Sequence, residues 1–145
     1  MLNEEVRRIM TKDYVTISPE DSVEKVTELM FENKVQQVPV LDGKILVGMV
    51  TTFDMWKLSA EGRDTSDLKV RDVMTTKVIM ITPKDKVGTA AELFMDKRFK
   101  TIPVVNLRHE MKGVITAFDV IRHTLTREYP HPILYSEVFE ELETS

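Results

Sequence analysis

Two short stretches of the sequence place a threonine and an aspartate three residues apart, directly behind an apolar run. They are "GMVTTFD", which contains Thr51 and ends at Asp54, and "GVITAFD", which contains Thr116 and ends at Asp119. This spacing is typical of a helix N-terminus, where hydroxyl and carboxylate bond to the unpaired amides of the first turn. The same geometry can form a ligand site. Free amides at a helix N-terminus attract an anion, and a carboxylate can accept hydrogen bonds from both ribose hydroxyls. The spacing alone leaves both interpretations open.

The two stretches belong to an internal repeat. When residues 6–40 are laid over residues 70–104, 12 of the 35 positions are identical. After a one-residue insertion, residues 48–58 lie over 113–123 with a further 4 identities in 11 positions. A repeat of this length indicates a duplicated structural unit, so both copies are expected to fold alike.

Each copy begins with a pattern that predicts a strand followed by a helix. The β-branched runs "YVTIS" and "VIMIT" stop at Pro19 and Pro83, which is typical of strands. Ser18 and Thr82 precede these prolines, and this predicts helix N-caps there, with proline at the first helical position. In the first copy an apolar stripe follows at helical spacing, formed by Val23, Val26 and Met30.

The rest of each copy predicts a hairpin and a second helix. "VPVL" and "IPVV" are followed by the return strands "ILVGMV" and "KGVI". Asp42-Gly43 predicts a two-residue turn in the first copy. Each Thr-x-x-Asp then begins a helix, so the order in each copy is β-α-β-β-α. A unit of about 50 residues buries little surface by itself. We therefore expect an α+β fold in which the two copies pack sheet to sheet around one core.

These patterns divide the chain into four parts. Residues 1–59 form the first domain, residues 60–69 a polar linker, residues 70–125 the second domain and residues 126–145 a tail. Pro130 and Pro132 break the helix before the tail. Ser136 is a predicted cap for a short helix with Val138, Phe139 and Leu142 on one side. So short a helix needs a docking surface, on this module or on a partner subunit.

Composition excludes several classes of function. A net charge of −4, from 20 Lys and Arg against 24 Asp and Glu, argues against a nucleic-acid-binding protein. The chain has no cysteine, and its three histidines have no metal-ligand spacing, so no metal site is expected. There is no P-loop or G-x-S-x-G motif, and we expect no catalysis. The charged opening and the short apolar runs argue against a signal peptide or membrane span, so a soluble cytoplasmic protein is expected.

Four sequence motifs and the β-α-β-β-α order, each present twice, resemble those of the tandem cystathionine-β-synthase (CBS) domain pair, or Bateman module. The motifs, in fixed order, are "VRRIMT" and "VRDVMT", "TISPEDSV" and "ITPKDKV", "QQVPV" and "KTIPV", and "GMVTTFD" and "GVITAFD". The resemblance covers residues 4–125 and implies two domains packed through their sheets about a pseudo-two-fold axis. It further implies a free-standing regulatory pair with two clefts, each able to take an adenine nucleotide or nucleoside.

The resemblance also implies which residues line each cleft, because the Thr-x-x-Asp of one domain faces the other domain. One cleft is expected to combine Thr51 and Asp54 with Thr75, Ile79, Lys100, Thr101 and Ile102. The other is expected to combine Thr116 and Asp119 with Thr11, Val15, Gln36, Gln37 and Val38. The family's strong phosphate binders carry His and Arg before the proline. This chain has Gln36-Gln37 and Lys100-Thr101 there, so Lys100 is expected to favour phosphate in the cleft of Asp54.

The resemblance leaves the ligand and the partner open. The candidate ligands are AMP, ADP, ATP, S-adenosylmethionine and methylthioadenosine, and a homodimer or a regulated partner protein would transmit their presence. The main alternative is a ligand-free structural module that works through dimerisation alone. A small hydrolase is the third alternative.

Overall fold

The computed structural model describes residues 2–97 and 100–128, and the predicted tail helix lies outside these residues. A 3₁₀ turn spans Val6–Arg8. The helices are α1 (Val23–Asn33), α2 (Thr52–Ala60), α3 (Val70–Val73), α4 (Val87–Lys97) and α5 (Ala117–Glu128). The strands are β1 (Gln37–Asp42), β2 (Ile45–Thr51), β3 (Thr101–Val105) and β4 (Met111–Thr116). Among these residues, none of the helices has the length and apolar character needed to cross a membrane.

The predicted hairpins are present in both copies. β1 pairs with β2 and β3 pairs with β4, both antiparallel. Asp42 pairs with Ile45, so the turn residues are Gly43 and Lys44, and the predicted turn at Asp42-Gly43 is wrong by one residue. Gly43 has φ 64° and Lys44 has no positive φ. The turn therefore needs one glycine, at its first central position.

The predicted first strand of each copy is reduced to one parallel bridge, of Ile17 with Val40 and of Ile81 with Val104. The Ile17 amide donates to the Pro39 carbonyl at 3.1 Å, and the Leu41 amide donates to the Ile17 carbonyl at 2.9 Å. The next bonds of a parallel ladder would need amides from Pro39 on one side and Pro19 on the other. Proline has no amide hydrogen, so the ladder stops on both sides.

Pro83 and Pro103 end the ladder in the same way in the second copy. The predicted element order is therefore kept, and the predicted length of the first strands is wrong.

The predicted N-caps Ser18 and Thr82 are also wrong, because each begins a tight turn before the helix. The Ser18 amide donates to the Asp21 carboxylate at 3.0 Å, and this bond holds the pKa of Asp21 below its usual value. In the second copy the Thr82 amide donates to Asp85 at 2.7 Å. Helix α1 then begins at Val23, with the Ser22 hydroxyl accepting from the Lys25 amide at 3.1 Å.

The backbone carbonyls of these turns also accept hydrogen bonds from the segment that leads into the other copy. We call residues 4–11 and 68–75 the two lead-ins. The Val70 amide donates to the Asp21 carbonyl at 2.8 Å, and the Val6 amide donates to the Asp85 carbonyl at 2.7 Å. Each lead-in thus crosses to the repeat to which it does not belong by sequence.

The core confirms this exchange. Val6 is fully buried in a cluster with Val87, Ile102 and Ile115 of the second repeat. Val70, also fully buried, packs in the equivalent cluster of the first repeat, which includes Ile17, Val26, Val38 and Val50. Each repeat therefore completes its core with a valine that the other repeat supplies.

A third cluster joins the two hairpins and confirms the predicted sheet-to-sheet packing. It contains Leu46, Val105, Met111 and Val114, with Tyr14, Leu41, Val78 and Met80 packed against it. The bridges at the junction come in equivalent pairs. The bridge of Glu5 with Lys86 matches that of Ser22 with Lys69, and the bridge of Thr11 with Val114 matches that of Thr75 with Met49. The two halves are thus related by a pseudo-two-fold axis.

Candidate functional site

Both Thr-x-x-Asp elements form capping boxes. The Thr51 amide donates to Asp54 Oδ2 at 2.8 Å, and the Asp54 amide donates to the Thr51 hydroxyl at 3.2 Å. At the start of α5 the same two bonds join Thr116 and Asp119, at 2.9 and 3.0 Å. The capping interpretation of the motif is therefore correct for both helices.

Each carboxylate also accepts from a threonine of a lead-in. The Thr75 hydroxyl lies 3.3 Å from Asp54 Oδ1. The Thr11 hydroxyl lies 3.2 Å from Asp119 Oδ2 and 3.3 Å from Oδ1. Because the lead-ins are exchanged, these bonds join residues distant in sequence at the junction of the repeats. Capping therefore leaves each acid able to take part in a second site.

One cleft that the described residues line at this junction has a volume of about 410 Å³. Seven of the predicted site residues line it: Thr11, Val15, Gln36, Gln37, Lys100, Thr101 and Thr116. We call it the large cleft. Asp119 lies behind its wall with 5% of its surface exposed, and Arg122 Nη2 is 3.6 Å from its carboxylate.

A smaller cleft has a volume of about 110 Å³ and is lined by Thr51, Thr75 and Ile79, which were expected to share a cleft with Asp54. We call it the small cleft. Asp54 itself lines a different pocket, of about 200 Å³, together with Lys57, Arg63 and Asp72. Gln37 and Thr101 line this cleft as well as the large one.

The structure does not bring all the predicted residues to a cleft surface. Val38 and Ile102 are 0% and 1% exposed, and they belong to the cores of the two repeats. Three consecutive residues of β1 and four of β3 are buried, so both faces of these strands are covered and the two side chains lie in the core. Neither residue lines the large or the small cleft, and their expected role in ligand binding stays a prediction.

Lys100 lies in a different cleft from the expected one. It lines the large cleft, together with Thr11 and Thr116, and lines neither the small cleft nor the pocket of Asp54. Its Nζ donates to Gln36 Oε1 at 2.6 Å. Gln36 and Lys100 occupy equivalent positions next to the pseudo-two-fold axis, so a long side chain at this point can reach to either side. The bond to Gln36 directs Lys100 into the large cleft.

Several residues that sequence reasoning missed give the clefts their charge. Lys34 and Asp13 line the large cleft, and Lys77, at the position equivalent to Asp13, lines the small one. Asp13 and Lys77 could have been found, since each lies two residues after a lead-in threonine. Lys34 gives no such signal, because it reaches the cleft from an unusual left-handed conformation with φ 55° at the end of α1.

Tyr14 adds a neutral hydrogen-bonding group to the large cleft. Burial raises the pKa of its phenol above the ordinary value, so the hydroxyl keeps its proton across the physiological range. The large cleft thus combines two lysines, hydroxyl groups and amides on one continuous surface. Within residues 2–97 and 100–128, no three His, Asp or Glu residues lie close enough to hold a metal ion.

The fold is similar to that of solved CBS-pair proteins. The crystal structure of CBSX2 in complex with AMP has a TM-score of 0.77 and 29% identity, and the match covers 86% of this chain and 98% of that one. CBSX2 from Arabidopsis thaliana in a second structure has a TM-score of 0.76 and 27% identity, covering 87% and 97%. Protein MJ1225 from Methanocaldococcus jannaschii has a TM-score of 0.77 and 26% identity, covering 84% and 48%.

Curated relatives include both large enzymes and a small CBS protein. An inosine-5'-monophosphate dehydrogenase of Korarchaeum cryptofilum is 35% identical over 109 residues, which are 75% of this chain and 22% of the dehydrogenase. A homoserine O-acetyltransferase of Methanococcus vannielii is 30% identical over 122 residues, 83% of this chain and 25% of that protein. The chain thus spans about a quarter of the length of these two enzymes.

The CBS domain-containing protein YhcV of Bacillus subtilis is 26% identical over 124 residues, and the match covers 85% of this chain and 87% of YhcV. The sequence model of the CBS domain matches residues 6–55 and again residues 70–125. These two matches account for most of the chain and coincide with its two repeats. The chain therefore belongs to the CBS domain family and carries two CBS domains.

Proposed function

We propose that this protein is a regulatory module that binds an adenine nucleotide or nucleoside at the junction of its two CBS domains. The observation that carries the proposal is the meeting of Thr11 with Asp119, and of Thr75 with Asp54, across that junction. Hydroxyl and carboxylate groups from both repeats are thereby gathered where a ligand would contact both. The similarity to CBSX2, solved in complex with AMP at 29% identity, supports an adenine-containing ligand.

The large cleft is the proposed main site. Its volume of about 410 Å³ lies in the usual range for small-molecule sites, about 300–1,000 Å³, whereas the small cleft is below it. The Thr11 hydroxyl now bonded to Asp119 is a group that a ribose hydroxyl would replace. Thr116 and the first amides of α5 would lie beside the phosphate.

The charges of the large cleft favour a ligand that carries phosphate. Lys34 and Lys100 line it against one acid on its surface, Asp13. A lysine ammonium interacts with phosphate as a point charge. AMP, ADP and ATP are therefore preferred over methylthioadenosine and S-adenosylmethionine, which bring no phosphate.

A second function remains in competition, that of a structural module that works by dimerisation without a ligand. The observation that favours it is that both acids are already satisfied by caps and lead-in threonines. In either case the proposed role is regulatory and not catalytic, and a homodimer or a partner protein would transmit it.

A ligand panel separates these functions. Purified protein would be titrated by calorimetry and melted with AMP, ADP, ATP, adenosine, methylthioadenosine and S-adenosylmethionine, with CMP as the control. A bound ligand at about 100 times its dissociation constant stabilises the fold by roughly 2.7 kcal/mol. A rise in melting temperature with AMP and none with CMP is expected. If no ligand of the panel gives binding heat or changes the melting temperature, the ligand-free structural module is the function that remains. Formation of a product would identify a hydrolase.

A further inference from the structure

Gln37 has a buried polar atom without a partner, at the wall that separates the two clefts. Its amide oxygen Oε1 is buried and has no hydrogen-bond partner in the described part of the chain. Buried polar atoms are nearly always paired in native proteins, so an unpaired one needs a physical explanation. The side chain of Gln37 lines both the large and the small cleft. An amide oxygen without a partner between two candidate sites is suited to accept a hydrogen bond from a ligand in either.

The position of Gln37 gives it access to both sides. It is the first residue of β1, and its cross-strand partner is Thr51, which lines the small cleft. Thr101 is at the equivalent position of the second copy, and its cross-strand partner is Thr116, which lines the large cleft. Thr101, like Gln37, lines both clefts. A threonine hydroxyl is held close to its backbone. A glutamine amide stands at the end of a side chain with three torsions, so rotation can turn it toward one cleft or the other.

We propose that Gln37 couples the two clefts, so that a ligand bound in the large cleft weakens binding in the small one. This inference rests on the proposed function. The first ligand enters the large cleft, which has almost four times the volume, and hydrogen-bonds to the Gln37 amide. The unpaired oxygen gains a partner there, and the amide turns away from the small cleft. A second ligand, only part of which the small cleft of about 110 Å³ encloses, then lacks this group.

The size of the coupling follows from one hydrogen bond with a buried group. The second ligand should bind more weakly by on the order of tenfold than it would to an empty module. Coupling between two sites is reciprocal, so the same factor applies to the large cleft when the small one is filled first. Gln36, the neighbouring glutamine, is bonded to Lys100 and lines the large cleft but not the small one. Its replacement can change AMP binding in the large cleft but not the coupling, so it provides a matched control for the coupling.

The test uses AMP and calorimetry on the full chain. The small cleft is measured as the second binding step of the wild type, and again alone in Asp119→Ala, where the large cleft is disabled. Its dissociation constant should be about tenfold lower in Asp119→Ala. The same pair of measurements in the Gln37→Leu background should give equal constants, and in the Gln36→Leu background the tenfold difference should remain. Complete exclusion, with one AMP bound by the wild type and one by Asp119→Ala, also supports the coupling.

Three results would overturn the proposal. The first is a small-cleft dissociation constant that is the same in the wild type and in Asp119→Ala. The second is a tenfold difference between these two constants that persists in the Gln37→Leu background. The third is loss of all AMP binding in Asp119→Ala while the wild type binds one AMP. Absence of AMP binding to the wild type is a different result, because it removes the proposed function itself. Folding is checked by melting. Gln37→Leu should melt no lower than the wild type, since it removes an unpaired buried oxygen and leaves an apolar side chain of similar length.

Discussion

At the scale of single residues, each Thr-x-x-Asp aspartate serves both a helix and a junction. One oxygen closes the capping box, and the carboxylate also accepts from a threonine of the opposite lead-in. The two aspartates differ in burial, since Asp119 is 5% exposed and Asp54 is half-buried. The same motif therefore contributes differently to stability in the two repeats.

Replacing each aspartate by alanine should reveal this difference. Asp119→Ala removes a buried carboxylate and leaves the part-buried Thr11 hydroxyl and Thr116 amide without this partner, so a loss of about 1–3 kcal/mol in unfolding free energy is expected. Asp54→Ala should cost about 0.3–1 kcal/mol, the value of a more exposed acid at a helix N-terminus. Urea unfolding followed by circular dichroism measures both. Asp96→Ala, on the exposed face of α4, is the control with no expected loss, and equal losses for the two motif aspartates would contradict the argument.

Lys100 should matter for phosphate and not for the nucleoside. Its Nζ lies in the large cleft on Gln36, where a ligand phosphate can replace the amide oxygen as its partner. Lys100→Ala should weaken AMP by about tenfold, since a charge-assisted hydrogen bond is worth about 1.5–3 kcal/mol and exposure lowers this value. Adenosine should bind almost unchanged.

Paired titrations of AMP and adenosine measure this difference. Lys112→Ala, an exposed lysine of β4 outside both clefts, is the control. An equal loss for AMP and adenosine would show that Lys100 affects the shape of the cleft and not the phosphate.

At the scale of elements, the boundaries of the sequence repeat differ from those of the packed unit, because each core includes the lead-in of the other repeat. The lead-in of the first copy closes the core of the second through Val6, and the lead-in of the second closes the core of the first through Val70. On the surface, the Glu20 carboxylate of the first copy forms salt bridges with Lys69 Nζ and Arg71 Nη1 of the second lead-in, each at 2.8 Å. The exchange also brings Thr11 and Thr75 to the aspartates of the opposite repeats.

Truncating the two lead-in valines should therefore weaken the opposite repeats. Val6→Ala removes two buried methyl groups and should cost about 2 kcal/mol in unfolding free energy. Hydrogen exchange should show the loss of protection in β3 and β4, whereas Val70→Ala should show it in β1 and β2. Each variant is the other's control. Faster exchange in β1 and β2 on Val6→Ala would contradict the exchanged arrangement.

At the scale of the whole molecule, the pseudo-two-fold axis leaves two equivalent apolar faces open to solvent. Phe53 and Trp56 on α2 are 63% and 64% exposed, and Phe118 and Ile121 on α5 are 58% and 55% exposed. The rings of Phe53 and Trp56 contact each other with centroids 5.7 Å apart. Apolar surface clustered in this way marks an interaction site more often than isolated exposed residues do. A second copy that covers both faces at once would form a closed dimer.

The chain should accordingly be a homodimer, with twice its mass of 16.8 kDa in light scattering at micromolar concentration. Trp56→Glu and Phe118→Glu should each shift the equilibrium to monomer, because each places a charge in the apolar contact. Leu107→Glu, at a loop position that is 94% exposed, should leave the dimer intact. A wild type that scatters as a monomer would remove the homodimer from the proposed function.

Much of this architecture follows from local sequence. The repeat, the two hairpins, the apolar face of α1 and the two capping boxes rest on periodicity and short-range hydrogen bonding, which residues a few positions apart specify. The reduction of each first strand to a single bridge could also be predicted from the sequence in principle. They depend on where Pro19, Pro39, Pro83 and Pro103 fall in a parallel ladder, and only the register of that ladder shows which amides are needed.

The site required the tertiary structure. Exchange of the lead-ins, the placement of Lys100 in the large cleft, the burial of Val38 and Ile102 and the unpaired oxygen of Gln37 all depend on contacts between residues far apart in sequence. Two copies of one motif predict two equal clefts. The differences between them arise where side chains from both repeats compete for space beside the pseudo-two-fold axis. There Gln36 is bonded to Lys100, and Gln37 and Thr101 line both clefts. The packing of these side chains decides which cleft is large.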